Sequence, residues 1–119
     1  MKKKIAAEIF SRYTADIVTP WGLKEKDVAQ LRETFARFPE ILEVRIFGSR
    51  AMGNFKSGSD VDLALYGRGP LVCATRVSTL LNQELPLPYY FDVVDYVTVE
   101  HPELREHIDR VSESFYRRT

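Results

Sequence analysis

Residues Phe47–Leu65 read FGSRAMGNFKSGSDVDLAL and carry two carboxylates, Asp60 and Asp62, at the head of an apolar run that follows a Gly-Ser pair. Side chains alternate faces along a strand, so Asp60, Asp62 and Ala64 share one side and Val61, Leu63 and Leu65 the other. The apolar set can be buried, which leaves the carboxylates close together on the opposite face. Two such charges resist ionising side by side unless a cation lies between them. Mg²⁺ suits that position, because it takes oxygen ligands and is commonly held by one or two carboxylates plus substrate phosphates. The plain alternative is two solvated aspartates on an amphipathic strand.

Upstream, Ile41–Phe47 (ILEVRIF) is β-branched and aromatic, bounded by Pro39 and Gly48, and predicts a strand. Gly48 then lies at a strand end, where a glycine lets backbone approach a phosphate and a following short helix presents free N–H groups. Ser49 adds a hydroxyl donor, and Arg50 a charge for a phosphate or a neighbouring carboxylate. Equally, Gly48 could be a turn and Ser49 a helix cap. The Gly53–Ser59 segment has loop composition, and its Lys56-Ser57 is preceded by Phe55 rather than glycine, so it is not a P-loop.

Further out, Val28, Leu31, Phe35 and Phe38 recur at helical spacing within Leu23–Phe38, closed by Pro39. Val61–Tyr66 is a second strand, Leu71–Leu85 a helix opened by Pro70, and Tyr90–Val99 a third strand. On that third strand Asp92 falls on the face away from Phe91 and Val93, making it a third candidate ligand; Asp95 points the other way. Three carboxylates on neighbouring strands could hold two ions about 3.5–4 Å apart, as in phosphoryl or nucleotidyl transfer. A last helix is predicted from Pro102, with the stripe Leu104, Ile108, Val111 and Phe115 and with Arg110, Arg117 and Arg118 toward its end. The order describes an α/β (α+β) fold, a small mixed sheet with helices packed mainly on one face. Residues 1–22 form an N-terminal arm and residues 23–119 the domain.

The 119 residues suit one domain, and 45% hydrophobic with 29% charged residues is an ordinary globular composition. Lys plus Arg (17) equals Asp plus Glu (17), so no broad positive field is available to hold nucleic acid. The single cysteine, Cys73, forms no internal disulfide and reads as a buried helix residue. No apolar run reaches the roughly 18 residues of a membrane span, and a cytoplasmic location is expected. His101 and His107 lack a partner cluster and read as helix-end residues; Trp21, Tyr89 and Tyr90 read as packing, with base stacking by either tyrosine as the alternative.

Gly48-Ser49, ten residues, then Asp60-Val61-Asp62, with FDVVDY downstream, resembles the signature of the DNA polymerase β-like nucleotidyltransferase superfamily, in particular its minimal nucleotidyltransferase branch. The resemblance spans residues 23 to 116. It implies the polymerase β-like palm, with Gly48, Ser49 and Arg50 toward the nucleotide phosphates and Asp60, Asp62 and Asp92 as catalytic ligands of two Mg²⁺ ions. It implies ATP as substrate and transfer of AMP to a hydroxyl. It also implies a partner, a helical HEPN-type toxin encoded nearby, for which this chain would be the antitoxin; a homodimer is a further option. Two rival readings are a module that neutralises its partner by binding alone and an aminoglycoside-type transferase acting on a small molecule.

Overall fold

Burial of Val28, Leu31 and Phe35 along one face draws Glu25–Ala36 into a helix, α1, whose opposite face stays in solvent. The computed structural model describes residues 17–68 and 74–119. After α1 come β1 (Ile41–Phe47), the short α2 (Gly48–Met52), β2 (Val61–Gly67), α3 (Ala74–Thr79) running into a π-helical turn (Leu80–Glu84), β3 (Phe91–Asp95), a 3-10 turn (Tyr96–Thr98), α4 (Pro102–Val111) and β4 (Glu113–Arg117). The strands form one mixed sheet in the order β3-β2-β1-β4. β1 is antiparallel to both β2 and β4, and β2 is parallel to β3.

Ile46, Leu63, Leu65 and Phe91 pack from one sheet face against Leu31 and Phe35 of α1 and against Val77 and Leu81, forming the main core. α1 and α3 thus cover one face, as the sequence predicts. The other face is not simply open. Ala64 is small enough for Ile108 to approach, and α4 lays its stripe of Leu104, Ile108 and Val111 over Phe47, Ala64 and Val94. This covering stops short of the end where Asp60 and Asp92 are exposed.

β3 is an edge strand and needs its outward backbone groups satisfied. Asn82, in the π turn, does this for Phe91: its Nδ2 donates to the Phe91 carbonyl at 2.9 Å and its Oδ1 accepts from the Phe91 N–H at 2.8 Å. The start of the helix predicted at Leu71, together with Pro70 and Cys73, lies outside the described residues. So do residues 1–16 of the arm; residues 17–22 fold back on the domain through a Val18–Lys24 bridge and the packing of Trp21 on Phe115.

Two predicted elements change. The third strand ends at Asp95 rather than Val99, because the Asp95 carboxylate accepts the Val97 N–H and caps a 3-10 turn. The final helix stops at Val111, and residues 113–117 form a fourth strand. Phe115, expected on the helical stripe, is instead a buried strand residue 5.1 Å from the Trp21 ring and 6.2 Å from Phe35. Arg117 and Arg118 therefore do not close their own helix. Arg118 donates to the carbonyls of Ala36, Phe38 and Ile41, tying the C-terminal end of α1 to β1.

Phe115→Ala is expected to lower stability by about 3–5 kcal/mol, as truncating a buried aromatic does, whereas Ser114→Ala on the exposed side should cost little. Urea unfolding of the two variants measures the difference.

Candidate active site

The parallel pairing of β2 and β3 sets Asp62 directly beside Asp92, with Val61 beside Phe91. Asp60 precedes β2 on the Asp62 side of the chain and is exposed. On the other flank Phe47 pairs with Asp62, so the chain leaves β1 at Gly48 immediately over that carboxylate. Gly48 has φ +72, and a Cβ there would lie 2.1 Å from Asp62 Oδ2. Only a residue without a side chain fits between strand and carboxylate. Gly48 is thus more than a strand-end turn; it is the space Asp62 occupies. Ser49 follows in the first turn of α2.

Burial, with Asp92 and Asp60 alongside and only partial relief from Arg50, pushes the Asp62 carboxyl up to about 6. A carboxylate held in this way gains from a cation. The structure brings Asp62 and Asp92 together and keeps Asp60 within electrostatic reach, without closing a cage of three ligands among the described residues. That open, all-oxygen donor set fits a hard ion such as Mg²⁺, which completes its shell with water and phosphate.

Arg50, expected to reach toward phosphate, is instead 2% exposed. Its Nη1 donates to the Trp21 carbonyl at 2.9 Å, and its Nε and Nη2 donate to the Ser59 carbonyl at 3.1 and 2.8 Å. Burial pulls the guanidinium below its ordinary pKa, opposed by Tyr89, Asp60 and Asp62. Charge alone could not reveal this orientation from the sequence.

Tyr89 packs as expected: its hydroxyl donates to Asp27 Oδ2 at 2.7 Å and accepts from the Lys24 N–H. Asp27 is buried as that partner, a role that nothing in the sequence marks. Tyr90, one residue on, is 62% exposed, and its carbonyl accepts from the Val61 N–H. His101 stands at the start of α4, and His107 lies edge-on to Phe47, the residue that pairs with Asp62.

Residues 29–119 match the family Polymerase beta, Nucleotidyltransferase. The chain belongs to that family. Within this nucleotidyltransferase domain lie Gly48, Ser49 and all three aspartates. Two of the solved structures that share its fold are toxin-antitoxin assemblies. One is a toxin-antitoxin crystal structure with AMP-PNP (TM-score 0.62, 19% identity, 82% of this chain and 76% of that chain). The other is a mutant of the toxin-antitoxin MntA-HpeT (TM-score 0.59, 16% identity, 82% and 75%). No curated protein sequence matches the chain significantly. Among the described residues no helix of the nucleotidyltransferase is long and apolar enough to cross a membrane.

Gly48→Ala is expected to cost about 1–3 kcal/mol, because alanine is strained at this φ and its methyl displaces the Asp62 carboxylate. Chemical denaturation measures the loss. Asp62→Asn should do the reverse at neutral pH. The native carboxyl binds its proton more tightly than the unfolded one, which titrates near 3.9. Its contribution to stability is therefore fully present below about 3.9 and lost as pH rises through about 6. At pH 8 the variant should be more stable by about 1 kcal/mol after allowance for solvent screening, an advantage that fades below about pH 4. Paired melts across pH 4–8 check both sign and window.

Proposed function

We propose that this nucleotidyltransferase transfers AMP from ATP to a hydroxyl of a partner protein and acts as the antitoxin of a two-gene module whose toxin is a helical HEPN-type protein. The observation that carries the reading is the setting of Asp62, seated beside Asp92 across the parallel strands on one flank and packed against Gly48 at the end of β1 on the other. The toxin-antitoxin assemblies that share the fold, one of them with AMP-PNP, support both the nucleotide and the partner class.

Each residue has a part. Gly48 leaves room for the Asp62 carboxylate at the strand end, and the Ser49 hydroxyl donates to a phosphate oxygen. Asp60 and Asp62, with Asp92, would hold Mg²⁺. When bound, the metal neutralises charge on the phosphate oxygens as the acceptor enters and pyrophosphate leaves. The acceptor oxygen bonds to the α-phosphorus, the bond from that phosphorus to the β,γ-pyrophosphate breaks, and the acceptor proton passes to the Asp92 carboxylate. Arg50 takes no direct part, since its nitrogens are committed to backbone carbonyls.

Incubating the protein and the helical partner encoded beside it with α-labelled ATP and Mg²⁺ should label the partner. The double variant Asp60→Asn/Asp62→Asn should reduce labelling by about 100-fold or more, a loss typical of removing transition-state charge stabilisation, while gel filtration still shows the complex. A wild-type complex that forms without transferring label would leave neutralisation by binding alone.

A further inference from the structure

We infer that Arg50 is a positioning residue: its buried guanidinium fastens the Gly53–Ser59 loop to the turn before α1, and so sets where Asp60 and Asp62 emerge. The inference rests on the nucleotide-site reading above for its consequence, though not for the clamp itself.

Ser59 is the residue before Asp60, and its carbonyl receives both Nε and Nη2 of Arg50. The Ser57 carbonyl lies 3.4 Å from Nη2. The third nitrogen reaches across to the Trp21 carbonyl. One planar cation thus joins three points of backbone, two on the loop and one on the turn that leads into α1. The loop is also tied to itself, since Ser59 Oγ accepts from the Lys56 N–H at 2.8 Å and the Ser59 N–H donates to the Lys56 carbonyl at 3.0 Å.

Two aromatic rings hold the guanidinium in place. Phe55, from the loop, lies 5.1 Å from it, and Tyr89 lies 5.7 Å away, itself anchored to Asp27 and Lys24. Gly22 completes the enclosure. It has φ +76, and a Cβ there would lie 2.3 Å from Phe55 Cε2 and 2.9 Å from Arg50 Nη1.

The placement has a mechanical consequence. Arg50 is the neighbour of Ser49 on α2, so a single turn of helix carries the candidate phosphate donor outward and the clamp on the carboxylate-bearing loop inward. A lysine would keep the charge but lose the fork that grips one carbonyl twice. A guanidinium acting directly on phosphate would have to abandon these carbonyls and leave a site that is 2% exposed.

Two variants separate positioning from direct charge contact. Arg50→Lys weakens the grip, while Gly22→Ala keeps the guanidinium and crowds it from a residue outside the site. Lys-C digestion, quantified as cleavage after the exposed Lys56 and separately from any cut that Arg50→Lys adds at position 50, reads loop release without reference to nucleotide. Binding of a fluorescent ATP analogue with Mg²⁺ reads the site, and far-UV circular dichroism reads the fold. We expect both variants to keep their dichroism and to be cut about fivefold faster, as opening of the loop becomes easier. Both should bind the analogue about tenfold more weakly, equivalent to about 1.4 kcal/mol.

If Arg50→Lys fails to fold, Phe55→Leu on the loop replaces it, with the same direction expected. Unchanged cleavage in the folded variants would overturn the clamp. Weak binding by Arg50→Lys with wild-type binding by Gly22→Ala would overturn positioning in favour of direct contact. Wild-type protein that binds no Mg²⁺-ATP analogue would sink the nucleotide reading, and the cleavage rates would still decide the clamp.

Discussion

The position of β2 between two partners constrains everything else in the structure. It is antiparallel to β1 on one side and parallel to β3 on the other, so its register is set twice. A slip by one residue would carry Val61, Leu63 and Leu65 out of the main core and drive Asp62 into it, a change that the buried face cannot tolerate. Core packing therefore fixes the carboxylates as firmly as it fixes the apolar residues. The same register seats Asp62 beside Asp92 and brings Gly48 over Asp62, so the stability of the sheet and the geometry of the site have one origin.

Arginine does much of the remaining structural work. Arg50 bonds Trp21 and Ser59, Arg118 bonds the end of α1 to β1, Arg32 donates to the Phe115 carbonyl, and Arg105 donates to the carbonyls of Tyr96 and Val99. Each reaches a backbone carbonyl, and in Arg50, Arg105 and Arg118 the planar fork serves more than one acceptor where a lysine would serve as a point charge. Among the described residues no buried side-chain nitrogen or oxygen lacks a partner. Several cations that could have been counted toward an anionic ligand are thus consumed in holding loops and termini. This agrees with a balanced net charge and with a site whose notable groups are acidic.

The parts legible in sequence share a local cause. Pro39 and Gly48 bracket β1, the period of two sets Asp60 and Asp62 on the side opposite the core residues Val61, Leu63 and Leu65, and the composition of Gly53–Ser59 excludes regular structure. The misread parts share a non-local one. Leu104, Ile108, Val111 and Phe115 satisfy a helical period, but Phe115 has a better place between Trp21 and Phe35, and the free edge of β1 takes residues 113–117 as a strand. The 3-10 turn after Asp95 depends on a carboxylate capping a nearby N–H in competition with strand continuation. Asp27 and Gly22 carry no motif, because the partners that give them meaning lie on distant segments.

By itself the sequence determined which residues could do chemistry and which face of the strand they share, since alternation and the Gly-Ser to Asp spacing are properties of the local chain. Only the tertiary structure decided how those residues are used. It paired Asp62 with Asp92 across strands, filled the space over Asp62 with Gly48, and laid α4 across half of the face that alternation had left open. It also turned Arg50 inward. A side chain's charge is written in its covalent structure, but its direction depends on which buried carbonyls lack a donor, and that is known only once distant segments have met.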